Sequence, residues 1–329
     1  MNITIVHYNT IPVSLYGGTE RVIWYLGKEL AKLGHRITYL VEQGSYCDFA
    51  TVKAINHSED IWLQIPEDTD VVHFQHQPNI TENAKHPYIV TMHGNAGSNE
   101  QLDTNTVFVS KNHAERYGST TFVYNGLDWD DYSSPNLKKE EYFHFLGKAA
   151  WRIKNVRGAI NVVTKAKNKR LKVLGGHRFN FKMGVRFTLS PKISFYGMVG
   201  GTQKNELLNK SKGLIFPVLW HEPFGLAIIE SLYYGCPIFG TPYGSLTELI
   251  SNDVGYLSNK RSDLTNAIEN VTTFSNEKCS EYAIDCFNSK KMAISYVELY
   301  EKAVSGIILN IEKPKLKNAQ NSKFLEWYE

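Results

Sequence analysis

Short apolar runs rich in β-branched and aromatic residues alternate along this chain with longer stretches whose apolar positions recur every three to four residues. The short runs read as strands covered on both faces, because most lack the two-residue alternation of a half-exposed sheet. In the first half they fall at Ile3–Tyr8, Arg36–Glu42, Val71–Gln75, Tyr88–His93, Thr106–Ser110 and Thr121–Tyr124. The clearest helix spans about 19–33, where Val22, Ile23, Leu26, Leu30 and Leu33 share a face and Gly34 supplies the stop. From 128 to 142 the chain turns polar through Ser133, Ser134, Pro135 and a Lys-Lys-Glu-Glu cluster, which predicts a domain linker. The pattern then restarts with strands at Tyr142–Gly147, Leu171–Leu174, Ile193–Tyr196, Gly213–Val218 and Pro237–Gly240, and a helix near Val156–Ala166. Near the end, Met292, Ile294, Val297, Leu299, Tyr300 and Val304 mark a helix that could cross back onto the first half.

Strands alternating with helices from end to end predict an α/β protein with two Rossmann-like, doubly wound parallel-sheet domains. The 329 residues agree with two domains. The expected division is 1–135 for the first, 140–290 for the second, 291–309 for the crossing helix and 310–329 for a basic and aromatic tail. Ligands of such folds bind at the carboxyl ends of the strands, where glycines or a proline follow several of these runs.

Composition narrows the function classes. Hydrophobic residues at 42% and charged residues at 21% are ordinary for a globular protein. No apolar run reaches the roughly 18 residues of a membrane span, and no basic region precedes the first strand, so a cytoplasmic protein is expected. Cys47, Cys236, Cys279 and Cys286 match no metal or redox spacing and read as reduced thiols. A formal charge of +3 is too small for a nucleic-acid groove. In the tail, Lys313, Lys315, Lys317 and Lys323 precede Phe324, Leu325, Trp327 and Tyr328, which would either rest on an anionic membrane surface at its inner face or lie solvated and loosely packed.

The most informative segment is Phe216-Pro-Val-Leu-Trp-His-Glu-Pro-Phe-Gly-Leu-Ala-Ile-Ile-Glu230, which reads as strand, turn and helix opening. Glu222 and Glu230 bracket the helix start, roughly 12 Å apart if every step between them is helical. Carboxylates accept hydrogen bonds from hydroxyls and repel phosphate, while a helix N-terminus favours an anion. The order therefore fits a nucleotide sugar, with hydroxyls at both ends and a diphosphate between. The plainer reading is a helix with two unrelated acidic residues.

Glu222-Pro-Phe-Gly-Leu followed by Glu230 resembles the Glu-x7-Glu motif of the retaining family 4 glycosyltransferases, which have the GT-B fold of two Rossmann-like domains facing across a cleft. Tyr16-Gly-Gly-Thr-Glu-Arg21, Thr91-Met-His-Gly94, Tyr124-Asn-Gly-Leu-Asp128, Cys236-Pro237 and Gly244-Ser-Leu-Thr-Glu248 resemble further elements of that family in the same order, over roughly residues 1–305. The resemblance implies transfer of a sugar from a nucleotide diphosphate donor with retention of configuration, to a carbohydrate, lipid-linked or small-molecule acceptor. Among donors a UDP-sugar is weakly preferred over a GDP-sugar.

Site residues follow from the residues and the resemblance together. Gly17 and Gly18 stand between strand and helix, where a backbone approaches an anion, and their spacing is not that of a dinucleotide fingerprint. His93 follows an apolar strand and, by the resemblance, contacts the donor sugar; alone it reads more often as a packed or capping residue. His73 and Asn95 are weaker candidates for the acceptor side. Lys148, Arg152 and Lys154 precede a helix and could neutralise the leaving diphosphate. The family has Gly-Arg with a Lys five positions on; here Lys148 replaces the Arg and Lys154 stands one position further, so either Lys148 or Arg152 could fill the arginine role. Phe224, Gly225 and Leu226 would offer helix amides to the diphosphate, Glu230 would hold the ribose, and Val199 and Lys204 resemble the nucleoside pocket. Asp68-Thr69-Asp70 and Asp128-Trp129-Asp130 have Asp-x-Asp spacing but are not read as a donor motif, and a reaction without a metal or other cofactor is expected. A nucleotide-sugar 2-epimerase on the same scaffold and a non-catalytic nucleotide-sugar binding protein are the alternatives.

Overall fold

The protein is described by a computed structural model that covers residues 1–13, 17–136, 138–181, 183, 185–320 and 322–329. Tyr16 of the first glycine-containing loop lies outside the described residues. From the N-terminus the elements are β1 (Asn2–Val6), α1 (Gly18–Lys32), β2 (Arg36–Val41), β3 (Thr51–Ala54), β4 (Val71–Phe74), β5 (Tyr88–Met92), β6 (Thr106–Phe108) and α2 (Lys111–Arg116). There follow β7 (Phe143–Leu146), α3 (Val156–Lys165), β8 (Leu171–Leu174), β9 (Phe179–Asn180), β10 (Arg186–Phe187), β11 (Ile193–Phe195), α4 (Gly201–Asn209), β12 (Leu214–Phe216), α5 (Leu226–Tyr233) and β13 (Ile238–Gly240). The last elements are α6 (Leu246–Leu249), β14 (Gly255–Leu257), α7 (Arg261–Glu269), α8 (Asn276–Cys286) and α9 (Ser289–Val304).

The chain forms two compact units. Among the described residues, unit 1 holds 1–13, 17–128 and 287–319, and unit 2 holds 129–286 and 320–329. Unit 1 carries a six-stranded parallel sheet in the order β3-β2-β1-β4-β5-β6. Unit 2 carries a second, β11-β8-β7-β12-β13-β14, again with every pairing parallel. Crossover helices cover such sheets, so β1, β4, β7 and β12 are almost wholly buried, which is why they read as continuous apolar runs.

In unit 1, α1 buries Val22, Ile23, Tyr25, Leu26 and Leu30, while Leu33 is left 41% exposed. The Tyr39 hydroxyl of β2 donates to the carbonyl of Ile23 at 3.0 Å, so helix and sheet are joined by a polar contact as well as by packing. α9 packs on α1, β4 and β5. Its buried stripe is Met292, Ala293, Tyr296, Leu299, Tyr300 and Ala303, whereas Ile294 and Val304 are exposed. The sequence placed these two on the apolar face; the small Ala293 and Ala303 take their places.

Three further expectations are corrected. Thr121–Tyr124 is not a strand and joins β6 only through an isolated bridge between Phe108 and Phe122. The polar stretch after 128 is no free linker. The Tyr132 hydroxyl and the Lys139 ammonium both donate into unit 2, to Glu230 and to the carbonyls of Asn209 and Tyr234, so the chain changes units at 128–129. The aromatic tail is not loosely packed throughout: Trp327 packs against the core of α3, α7, β7 and β8, while Tyr328, 49% exposed, bridges to Lys260 in parallel. No helix among the described residues is long and apolar enough to cross a membrane.

At the centre of unit 2, His144 of β7 is fully buried between two hydroxyls, with Nδ1 2.8 Å from Ser211 Oγ and Nε2 2.8 Å from Ser231 Oγ. Burial, with the Lys139 charge as a lesser cause, pushes its pKa down to about 3. The unfolded chain, with a histidine near 6.5, then binds more protons than the native one below neutrality. The stability this group contributes is complete above that value and is lost as pH falls toward 3. Urea unfolding from pH 7.5 to 5 should show a loss of up to about 1.4 kcal/mol per unit from this group below about pH 6.5. The His144→Gln variant, which takes up no proton, should show a shallower slope.

Candidate functional site

In unit 2 the chain leaves β12, runs through Pro217–Gly225 and enters α5. Gly225 is the N-cap with φ of 87°, a region that disfavours side chains, and an added Cβ would stand 3.0 Å from Ile228 and 3.3 Å from Glu222. No side chain among the described residues caps α5, so its leading amides at Leu226 and Ala227 face outward from the helix without that partner. Phe224 is buried beneath this turn and its carbonyl accepts from Ser245 Oγ at 2.7 Å. The same serine donates its amide to Glu222 O at 2.9 Å, so the loop after β13 braces the loop after β12.

The two carboxylates are both buried, Glu222 to 6% and Glu230 to 1% exposure. Glu222 Oε2 accepts from Lys154 Nζ at 2.6 Å and from Trp220 Nε1 at 2.8 Å. Lys154 lies in the turn Arg152–Lys154 after β7, buried, with its ammonium 4.9 Å from the Trp220 ring centre and 5.3 Å from that of Phe216. Glu230, one turn into α5, forms an ion pair with Lys204 of α4 and accepts from the Tyr132 hydroxyl at 2.9 Å. Only 226–230 of the interval between the two carboxylates is helical, so the fully helical spacing does not apply. Val199 is buried just before α4.

Lys148 and Arg152 do not join Lys154 at the carboxylate. Lys148 is exposed with its ammonium 5.1 Å from the Trp151 ring, and Arg152 lies 4.7 Å over the ring of Phe324. Of the three cations expected together, the structure brings one to Glu222. Sequence reasoning assigned Lys204 to the nucleoside and did not foresee it as the partner of Glu230, nor Tyr132 or Trp220. The common signal is an aromatic or a lysine near a buried acid, which spacing alone does not supply.

Unit 1 builds a second polar group where three adjacent strands end. His7 follows β1, Gln75 and His76 follow β4, and His93 follows β5. His93 Nε2 lies 2.8 Å from Gln75 Oε1, which makes Nε2 the donor and leaves Nδ1 as an acceptor. Burial first, and then the nearby His7, push its pKa down to about 3, so the ring is neutral at physiological pH. His76, its ring tilted by 44° with its centre 4.1 Å from that of Tyr8, is pushed down to about 4 by the same two causes. Glu20 of α1 stands 3.8 Å from His7 Nε2 and accepts from Asn9 at 3.1 Å; the neighbouring His7 ring is the main reason its carboxyl is held below the usual range. Gly17 caps α1, where a Cβ would come within 2.8 Å of Glu20 Oε2, and Gly18 opens the helix.

The acceptor candidates fare differently. His73 is fully buried, with Nδ1 2.8 Å from the Tyr300 hydroxyl and Nε2 2.7 Å from Thr91 Oγ1, so both ring nitrogens are taken up inside the core and none faces an acceptor. Asn95 is half-buried and accepts from Arg116 at 2.8 Å. His7, Asn9, Gln75 and His76 escaped sequence reasoning. Each stands just past a strand end, and that position was the signal that could have found them.

Residues 130–285 match the model of the family described as glycosyl transferases group 1. This stretch is a group 1 glycosyltransferase domain. The chain as a whole has the GT-B fold. It is similar to AviGT4, a glycosyltransferase involved in avilamycin A biosynthesis, at TM-score 0.74 and 18% identity over 93% of this chain and 98% of the other. Sucrose-phosphate synthase from Thermosynechococcus elongatus gives TM-score 0.69 and 14% identity over 93% and 99%. HepE of Anabaena, solved with UDP and glucose, gives 0.65 and 14% over 92% and 99%. Compared by sequence, no curated protein matches the chain. The matched domain contains Lys148, Lys154, Lys204, Glu222 and Glu230, so the paired acids and bases lie inside it.

Removing one partner of a buried ion pair leaves an uncompensated charge at a cost of about 3–5 kcal/mol. Lys154→Met should therefore lower the stability of unit 2 by that order in urea unfolding. The double variant Lys154→Met with Glu222→Gln should recover part of the loss, and a coupling below about 0.5 kcal/mol would show the two groups to be independent.

Proposed function

We propose that the protein transfers a sugar from a nucleotide diphosphate donor, with retention of configuration and without a divalent cation, and that unit 2 holds the donor. The observation that carries this reading is the pair of buried carboxylates flanking the uncapped start of α5, each on a lysine, inside a group 1 glycosyltransferase domain.

The physical argument starts from the bond that breaks. Cleavage between the anomeric carbon and the diphosphate puts positive charge on the sugar ring and negative charge on the leaving group. The amides of Leu226 and Ala227 and the Lys154 cation, aided by Lys148 or Arg152, stabilise the diphosphate. Glu222 accepts hydrogen bonds from the transferring sugar, and Glu230 accepts them from the ribose, near Val199 and Lys204. Neutral His93 serves the transfer step from unit 1, as an imidazole that neither repels the ring charge nor needs a proton to leave. The leaving phosphate acts as base for an acceptor that is a carbohydrate, a lipid-linked glycan or a small molecule. A uridine nucleotide is preferred; HepE, one of the similar structures, was solved with UDP.

The first test is a thermal-shift panel of UDP, GDP, ADP and CMP. A nucleotide at about 100 times its dissociation constant adds about 2.7 kcal/mol of stability. UDP should give the largest shift; folded protein that responds to none of the four overturns the reading. With a donor in hand, Glu222→Gln should lower kcat by about 100-fold or more, the scale of losing one electrostatic contact in a transition state. Glu230→Gln should act mainly on donor KM. Equal losses in KM for both variants would refute the division of roles.

A further inference from the structure

The last six residues return to unit 2 and do more there than fill space. Leu325 donates its amide to Leu219 O at 2.8 Å, and Leu219 donates its own amide to Ile153 O at 2.7 Å. Three stretches thus lie in a row: the tail, the loop that leads to Glu222, and the turn that carries Lys154. Beside this ladder the Phe324 ring lies under the Arg152 guanidinium at 4.7 Å. Phe324, Arg152, Trp151 and Leu219 together line a cavity of about 330 Å³.

The tail also reaches the other side of the Glu222 loop. The Tyr243 hydroxyl donates to Glu326 O at 2.7 Å, and Tyr243 adjoins Gly244, which is bridged in parallel to Glu222. A Cβ at Gly244 would lie 2.4 Å from the amide nitrogen of Glu222, so the two backbones are in direct contact. Beyond Glu326 the chain is pinned by Tyr328 N to Asn259 O at 2.8 Å, by Arg261 N to Tyr328 O at 2.8 Å, and by the Arg261–Glu329 ion pair at 2.5 Å. Trp327 is packed on the core of the unit. Ordering each residue costs about 1–2 kcal/mol of backbone entropy, and this hexapeptide is held by main-chain hydrogen bonds near both of its ends.

We propose that residues 324–329 are a positioning element of the donor site, with Phe324 and Leu325 holding the Arg152–Lys154 turn and the Leu219–Glu222 loop in register so that Lys154 meets Glu222. The effect on the donor rests on the reading of unit 2 given above; the bracing of the loop does not. Phe324 and Leu325 touch no substrate in this scheme. They act through Arg152, Ile153 and Leu219.

The test uses full-length protein, a variant ending at Lys323, and the point variants Phe324→Ala, Leu325→Pro and Phe324→Trp. Hydrogen exchange of the nucleotide-free proteins is read at 152–154 and 219–222. Truncation and Leu325→Pro should raise exchange there at least tenfold while β7, β8 and β12 stay protected. Uridine diphosphate affinity and donor KM should weaken at least tenfold with acceptor KM unchanged, and Phe324→Trp should restore both over Phe324→Ala. Unchanged exchange at 219–222 in a folded truncated protein overturns the proposal. So does an equal weakening of donor and acceptor. If the truncated chain does not fold, the point variants decide by the same readouts. If the full-length protein binds no nucleotide, the functional reading fails and the exchange comparison still judges the brace.

Discussion

A carboxylate removed from water must be met by a cation and by hydrogen-bond donors, or it does not remain there as a charge. Unit 2 meets this requirement twice within one loop and one helix turn, and much of its architecture serves the purpose. Lys154 reaches Glu222 because the turn after β7 stands beside the loop after β12, and those strands are neighbours in the sheet. Lys204 reaches Glu230 because α4, which leads into β12, packs against α5, which follows it. The aromatic rings of Phe216, Trp220 and Tyr132 complete the two pockets, offering π faces to the ammonium groups and N–H or O–H donors to the acids. Carboxylates built this way are held in one orientation by their partners.

Unit 1 follows a different rule toward a similar end. Its polar group is made of imidazoles and an amide, placed where β1, β4 and β5 finish side by side. Parallel strands deliver their carboxyl ends to one edge, so residues distant in sequence gather there without any motif linking them. Burial keeps His76 and His93 unprotonated, and Glu20 supplies the charge of the cluster at its margin. Polar chemistry at that edge depends on hydrogen-bond direction more than on net charge.

The strands were legible because they are buried on both faces, which turns burial into an apolar run. β3 was not, since it is an edge strand with exposed positions, and β14 is only three residues long. Thr121–Tyr124 has strand composition, yet it meets its neighbour at one bridge, because pairing is decided by tertiary placement. Glu222, Glu230, Lys154 and His93 stood out in the sequence through their resemblance to glycosyltransferase motifs, with their places near strand ends and a helix start as a weaker signal. The Lys204–Glu230 and Phe324–Arg152 contacts were not, because 26 and 172 residues separate the partners and no periodicity joins them. His73 misled for a physical reason: a histidine near a strand end can serve the core when hydroxyls such as those of Tyr300 and Thr91 face both nitrogens.

The chain leaves unit 1 after Asp128 and re-enters it at Phe287, and those two points are held together. Leu127 and Asn288 form a parallel bridge, Leu127 N donates to Phe287 O at 3.0 Å, and Ser289 N donates to Leu127 O at 2.9 Å. Gly126 lies so close to Asn288 that a Cβ would stand 2.2 Å from its carbonyl oxygen. Topologically, then, residues 129–286 are a cassette spliced into a host whose cut ends already touch. A host with adjoining ends can lose or exchange its insert through a few joining residues, with residues 320–329, which return to unit 2, travelling along, and the recipient sheet stays uninterrupted.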